Sequence, residues 1–276
     1  MIAPDAQPWS ASTAPIWGMV CGYESVVRRR RALLMLTAHF DDSWNDDVFE
    51  VAGFVAPAES WALFSDEWQV ALSAPRGVGK LTANEAMKCR GQFFGFSPEQ
   101  RDEKLRSLSV IIDAHAELEV FSVIPIRPLK EELEKVGLPK IVGDPYYPAM
   151  MAVIRRLAAR QAARGSVEPI NFIFDEKKKQ QAHIYSAWAA IAKRQPAEMQ
   201  RVISRTPVFD SDDRVLPLQA ADWAAWHRRQ QGILGIIFNV LDRPWKVPVM
   251  DIVFTPELIR QTLAEIRSDL PRDRSR

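Results

Sequence analysis

Residues 33–43 read LLMLTAHFDDS, an apolar run of strand length that ends in Asp41, Asp42 and Ser43. An unbroken apolar run of this length is typical of a strand that is buried on both faces of a sheet. The polar residues 44–47 connect it to a second apolar run at 48–56. Because so short a connection joins antiparallel neighbours, the two runs predict a central strand with an antiparallel partner beside it.

Helical and extended patterns alternate along the rest of the chain. Trp61, Phe64, Trp68 and Leu72 lie at helical spacing within 57–74, which predicts an amphipathic helix laid on the sheet. Further helices are predicted at 97–115, 129–136, 145–164, 183–194 and 216–231, and further extended segments at 119–126, 169–175 and 201–209. This alternation indicates an α/β protein.

The chain has 276 residues and is expected to form one domain with additions at its ends. Residues 1–31 contain several prolines and no periodic pattern, which predicts a poorly ordered leader. Residues 32–255 are expected to form the domain, with helical insertions. Residues 256–276 are expected to add a C-terminal helix and a tail.

Charge and cysteine content exclude several classes of protein. The 36 basic and 35 acidic residues give a net charge of +1, so no general basic surface draws the chain onto nucleic acid. Cys21 and Cys89 lie far apart without zinc-ligand spacing, which argues against a disulfide framework and indicates a reducing cytoplasm. No segment approaches the roughly 18 apolar residues that span a bilayer, so no membrane partner is expected.

Two of the predicted strands end in aspartate, at Asp41 and at Asp175. In open α/β sheets, ligands bind beyond the carboxyl ends of the strands. Aspartate is also common in turns and at helix caps, so either residue alone has a structural explanation.

A third acid, Asp222, lies inside the alanine-rich apolar stretch 216–226 and shares a helical face with Gln219 and Trp226. A carboxylate buried on such a face needs a partner. A metal ion is one such partner, and a salt bridge to Arg228 or Arg229 is the alternative.

Basic residues at 177–179 follow Asp175 directly. They either contact phosphate or form the solvated start of a helix. The loop GVGK at 77–80 lacks the Ser or Thr of a phosphate loop, and no GxSxG motif marks a serine nucleophile. Nucleophilic catalysis is therefore not indicated.

Four segments resemble the bacterial family known as domain of unknown function 3800. They are FDDS at 40–43 with VAGF at 51–54, NE at 84–85 before GQFFGFS at 91–97, FIFD at 172–175, and LQAAD at 218–222. The likeness spans about residues 33–230 and departs from the family at Asp42, where the family has Glu. It implies a ribonuclease H-like fold, a mixed β-sheet flanked by helices on both faces.

The resemblance also implies a metal-dependent nuclease that hydrolyses phosphodiester bonds of RNA or DNA. In such a site two Mg²⁺ or Mn²⁺ ions lie about 3.5 to 4 Å apart and are held by carboxylates. Asp41 would bridge the ions, Asp175 and Asp222 would each hold one side, and Glu85 or Asp42 would complete the shell. The expected substrate contacts are Ser43, Gln219, Lys177 and Lys178, with Gln219 either touching substrate or orienting Asp222.

Two alternatives stay open. The same metal site would serve a phosphohydrolase that acts on a small nucleotide, which needs no long basic groove. A ribonuclease H-like binding module without catalysis would instead place Asp41, Asp175 and Asp222 far apart, or each beside an Arg or Lys. The sequence does not fix the oligomeric state.

Overall fold

A six-stranded mixed sheet forms the centre of the protein, with strand order β5-β4-β1-β2-β3-β6. The computed structural model describes residues 13, 14, 16, 35–136, 144–166, 168–203, 205–233 and 243–269. Strands β1, β2 and β3 form an antiparallel meander; β4 is parallel to β1, β5 to β4, and β6 to β3. The strands are β1 (Leu36–Trp44), β2 (Val48–Pro57), β3 (Leu118–Pro125), β4 (Asn171–Asp175), β5 (Val208–Asp210) and β6 (Val249–Val253).

Helices cover both faces of this sheet, which confirms the predicted α/β class. They are α1 (Ala58–Ser73), α2 (Ala83–Met87), α3 (Pro98–His115), α4 (Ile126–Val136), α5 (Tyr146–Ala163), α6 (Lys178–Lys193), α7 (Ala197–Val202), α8 (Pro217–Ile233) and α9 (Pro256–Asp269). Helix α3 begins with a full capping box between Ser97 and Gln100, which satisfies backbone donors that a helix start leaves free. Within the described ranges, no helix is long and apolar enough to cross a membrane.

Alternate residues of β1 face two separate hydrophobic cores. Ala38 and Phe40 pack in the core beneath α5, whereas His39 contacts Trp61 of α1 on the opposite face. Because side chains alternate along a strand, Asp41 faces the α1 and α8 side of the sheet and Asp42 faces the α5 side. The two neighbouring aspartates therefore belong to different surfaces.

Strand β1 continues past its predicted end at Asp41. Its antiparallel pairing with β2 extends to Trp44, whereas its parallel pairing with β4 stops at the pair of Phe40 and Phe174. Asp41 and Asp175 therefore lie where the two parallel strands separate, at the expected edge of the sheet. Gly53, opposite Phe40, permits the close approach of β2, since a Cβ there would collide with the carbonyl oxygen of His39.

Two predictions about secondary structure were wrong. Residues 201–209 were expected to be extended, but α7 runs to Val202 and β5 covers only three residues. Strand β6 was not predicted; it is a five-residue edge strand whose apolar residues are interrupted by the exposed Asp251. Most of the predicted leader lies outside the described residues; of those described, Ile16 is buried in the core beside α1.

Candidate functional site

Three of the predicted acids come together on the α8 side of the sheet. Asp41 ends the parallel part of β1, Asp175 ends β4, and Asp222 lies on α8. Burial, followed by the charges of Asp222 and Asp175, raises the pKa of Asp41 well above its ordinary 3.8. These three residues are called the acid cluster below.

The other two members of the acid cluster also hold their protons more tightly than usual. Burial, followed by the charge of Asp212, raises the pKa of Asp175 to about 6. Burial also raises the pKa of Asp222 to about 6, with further contributions from Asp212 and Asp175. Neighbouring carboxylates that lack compensating cations resist ionisation together.

Few protein groups neutralise the acid cluster. Asp41 Oδ1 accepts a hydrogen bond from the backbone N–H of Asp42 at 2.7 Å, and Asp222 Oδ2 accepts one from the N–H of Ala83 at 2.7 Å. Among the described residues, no Lys or Arg forms an ion pair within 4 Å with Asp41, Asp175 or Asp222. The salt bridge from Asp222 to Arg228 or Arg229 that the sequence left open is not formed; Arg228 pairs with Glu119 instead.

Gln219 fixes α8 against two loops, one turn before Asp222. Its Oε1 accepts hydrogen bonds from Trp68 Nε1 at 3.0 Å and from the N–H of Leu81 at 3.1 Å. Its Nε2 donates to the carbonyl oxygen of Asp212 at 2.9 Å. Because Gln219 is buried and its amide is engaged in this way, its contacts fit a positioning role for the acid cluster.

Asp212 is a neighbour of the acid cluster that the sequence analysis missed. It lies in the turn after β5, and Lys80 Nζ forms an ion pair with its Oδ1 at 2.6 Å. It raises the pKa of both Asp175 and Asp222. The signal that marked Asp41 and Asp175, an acid directly after a strand, points in this segment to Asp210, whose carboxylate pairs with Arg214.

Asp42, a predicted metal ligand, lies on the other side of the sheet. Its Oδ1 forms an ion pair with Lys177 Nζ at 2.9 Å. Lys177 also acts on the acid cluster, since its charge opposes the rise in the pKa of Asp41 and Asp175. Of the remaining predicted substrate contacts, Ser43 is half-buried on β1 and Lys178 is exposed at the start of α6.

Glu85, the fourth predicted catalytic acid, makes its contacts in the turn that follows α2. Its Oε2 accepts a hydrogen bond from the N–H of Gln92 at 3.3 Å. A Cβ at Gly91, whose φ is +53°, would collide with the same carboxylate. Glu85 is absent from the main charges that raise the pKa values of Asp41, Asp175 and Asp222.

The donor chemistry of the acid cluster suits a hard divalent cation. Carboxylate oxygens are the ligands that Mg²⁺ and Mn²⁺ prefer. In the part of the chain that the structure describes, however, no three His, Cys, Asp or Glu side chains are arranged so that they could hold a metal ion. The acid cluster is thus a group of interacting carboxylates and not a formed coordination shell.

Comparisons of the chain with protein-family models, with curated proteins and with solved structures find no match. A fold by itself does not define an activity. The function must therefore be inferred from the chemistry of the residues just described.

Proposed function

We propose that the chain is a metal-dependent nuclease of the ribonuclease H-like type. One observation carries the proposal: carboxylates from β1, β4 and α8 lie so close together that Asp222 and Asp175 raise the pKa of Asp41 and Asp175 raises that of Asp222, and none of the three forms an ion pair with a described Lys or Arg. Such a group is costly to maintain in a folded protein. Perturbed acids of this kind are concentrated at functional sites.

The arrangement of the strands supports the same proposal. A ribonuclease H-like site, as the resemblance implies it, has one acid on the first, central strand, a second on the fourth strand, and further acids on a helix or loop. Asp41 lies on β1, between β2 and β4, Asp175 lies on β4, and Asp222 lies on α8. The sequence order and the spatial order of the three acids both agree with that description.

Each residue has a defined part in the proposed chemistry. Asp41, Asp175 and Asp222 would hold the cation, and Asp212 is the strongest candidate for a fourth carboxylate because it acts on both Asp175 and Asp222. A bound divalent cation would activate water and stabilise the leaving oxygen of the phosphodiester. Lys177 lies beside the acid cluster and is placed to attract a substrate phosphate.

A small nucleotide is the second candidate substrate, and one observation favours it. Lys80 and Lys177, the lysines that act on the acid cluster, are each paired with an aspartate. A site with so little free positive charge gives little affinity for a long phosphate backbone. A binding module without catalysis is less well supported, because it requires acids that are separated or paired with bases.

Metal titration tests the proposal directly. Mn²⁺ and Mg²⁺ would be titrated calorimetrically into the wild type and Asp41→Asn, in parallel with cleavage of labelled RNA, DNA, hybrid and free nucleotides. We expect both binding and cleavage to be lost in Asp41→Asn. Asp251→Asn is the matched control, since Asp251 is an exposed strand aspartate on β6, at the sheet edge beyond β2 and β3.

The outcomes separate the alternatives. Cleavage of nucleotides alone would support the phosphohydrolase. A wild type that binds no divalent cation would contradict the metal-dependent proposal in both of its forms.

A further inference from the structure

A cavity of about 390 Å³ opens at the end of β1, on the side of the sheet opposite the acid cluster. Its volume falls within the range of small-molecule sites, about 300 to 1,000 Å³. It is lined by Asp42, Trp44, Phe49, Ile126, Asp144, Pro145, Tyr146, Lys177 and Gln180. The cavity and the acid cluster share Lys177, which pairs with Asp42 and acts on Asp41 and Asp175.

Trp44 is an exposed aromatic side chain on a well-defined hairpin. Its side of the cavity is open, and 63% of the residue is accessible to solvent. Its backbone is nevertheless held, because Trp44 pairs with Phe49 and its carbonyl oxygen accepts a hydrogen bond from Arg229 Nη1 at 2.9 Å. Asn45 Oδ1 closes the turn by accepting from the N–H groups of Asp47 and Val48. An exposed indole carried on a backbone that is held in this way suits contact with a planar ring.

The interior of the cavity is apolar and aromatic. Phe49 and Tyr146 are buried, and their rings meet edge to face with centroids 6.3 Å apart. Together with Ile126, they offer an apolar surface to the flat face of a ring. The cavity therefore suits a planar, uncharged group.

Two carboxylates, those of Asp42 and Asp144, are among the polar groups of the cavity. Asp144 Oδ1 accepts from the N–H of Tyr146 at 3.0 Å, and its Oδ2 accepts from Gln180 Nε2 at 2.9 Å. A carboxylate has about four acceptor positions, so Asp144 retains capacity for a ligand donor. The two carboxylates outnumber Lys177, which disfavours a phosphate inside the cavity and favours a group that carries N–H donors.

We infer that this cavity binds a nucleobase with an exocyclic amine: adenine, cytosine or guanine. The nucleobase would contact Trp44 and donate its amine hydrogens to the Asp144 and Gln180 side of the cavity. This inference deepens the proposed function and rests on it in one respect, that the phosphate of the same nucleotide lies beside Lys177 at the acid cluster. The nucleoside itself needs neither metal nor phosphate in order to bind.

Nucleoside binding without metal tests the inference separately from catalysis. Cytidine and uridine would be titrated calorimetrically into the protein in the presence of EDTA. The two are compared because cytosine carries an exocyclic amine where uracil carries a carbonyl oxygen. We expect cytidine to bind one to one and about tenfold more tightly than uridine. Trp44→Ala should weaken cytidine binding about tenfold, and Asp144→Asn should remove the preference for cytidine.

Two further variants act as controls. Phe94→Ala removes an aromatic side chain that is 85% exposed elsewhere, and it should leave cytidine binding unchanged. Asp41→Asn should bind cytidine like the wild type even if all cleavage is lost, so failure of the nuclease proposal and failure of this inference give different results. Absence of wild-type binding to cytidine, and to adenosine and guanosine titrated in the same way, would overturn the inference. Equal cytidine binding by Trp44→Ala with its melting temperature preserved would overturn it as well.

Discussion

Glu119 and the acid cluster lie on the same face of the sheet, and their surroundings are opposite. Glu119 of β3 is fully buried, and Arg228 Nε and Arg243 Nη1 form ion pairs with it at 2.7 and 2.6 Å. Trp245 Nε1 donates a further hydrogen bond to Glu119 Oε2 at 2.8 Å. The acid cluster instead places Asp41, Asp175 and Asp222 next to one another.

The comparison separates structural acids from functional ones. A buried carboxylate whose oxygens pair with cationic side chains is neutralised within the fold, and its role is to hold secondary-structure elements together. Carboxylates that face other carboxylates keep an uncompensated negative charge until a cation from solution neutralises them. Removing the negative charge of Glu119 should therefore destabilise the folded protein, whereas removing a negative charge from the acid cluster should stabilise it.

The largest expected effect is on cleavage. Asp41→Asn should reduce the cleavage rate on the order of 10³-fold, since it removes a carboxylate that would hold the cation on which the proposed chemistry depends. The same change should raise the melting temperature, because a buried carboxylate is no longer opposed by Asp222 and Asp175. Cleavage kinetics and thermal denaturation measure the two effects. A variant that is both inactive and destabilised would place Asp41 with Glu119 as a structural acid.

Glu119→Gln should have the largest effect on stability. The change removes the carboxylate with which Arg228 Nε and Arg243 Nη1 form ion pairs, and breaking a buried pair in this way costs about 3 to 5 kcal/mol. Urea denaturation gives the free energy of unfolding. Glu117→Gln is the control two residues earlier, where the side chain is exposed, and it should change little. Equal stability of the two variants would contradict the structural role of Glu119.

Glu50 offers an intermediate case between the two groups. It is buried on β2, and burial raises its pKa from 4.5 to about 8, although Arg228 and Arg229 oppose the rise. The folded protein thus binds a proton that the unfolded chain releases above pH 4.5, so stability falls as pH rises from about 4.5 to 8. Glu50→Gln should remove a loss of about 4 to 5 kcal/mol between these limits. Denaturation curves at pH 5 and pH 9 for both proteins measure the difference.

Metal affinity should depend on pH through the acid cluster. Protons compete with the cation for Asp175 and Asp222, whose pKa values lie at about 6. Below pH 6 the affinity for Mn²⁺ should fall by at least about tenfold for each pH unit, because ligands must be deprotonated to bind. Calorimetric titration between pH 5 and pH 8 follows this change. Affinity that stays constant down to pH 5 would show that these two acids are not ligands.

The smallest expected effect distinguishes Asp212 from Glu85. If Asp212 supplies the fourth carboxylate, Asp212→Asn should weaken Mn²⁺ binding about tenfold, a typical loss for a supporting group at a metal site. Glu85→Gln should weaken it less, because the contacts of Glu85 lie in the turn at 91–92. The two variants would be compared in one titration series. The reverse order would restore Glu85 as the fourth ligand.

The sequence predicted those parts of the molecule that depend on local pattern. The apolar runs that end at Asp41 and Asp175 predicted two strands and placed both acids at their carboxyl ends. The apolar surroundings of Asp222 predicted that it belongs to a metal site or a salt bridge. Asp212 could not be found in this way, because it lies in a polar turn whose residues look like any exposed loop. Its role depends on the pairing of β5 with β4, a contact between distant segments.

The two aspartates that follow one another at 41 and 42 show a second limit. The resemblance implied that Asp41 would serve the metal site and that either Asp42 or Glu85 would complete it. The alternation of a strand sends the two aspartates to opposite faces, and only the register with β2 and β4 shows which face carries the acid cluster. Neighbours in sequence are thus divided between the proposed metal site and the proposed base site.

Helix α8 carries Asp222 of the acid cluster and, six positions later, Arg228 of the Glu119 ion pair. Each residue of an α-helix adds about 100° of rotation, so inserting or deleting one residue between them would turn one side chain away from its partner. We therefore expect the number of residues between positions 222 and 228 to be as constrained in this protein as their chemical identities.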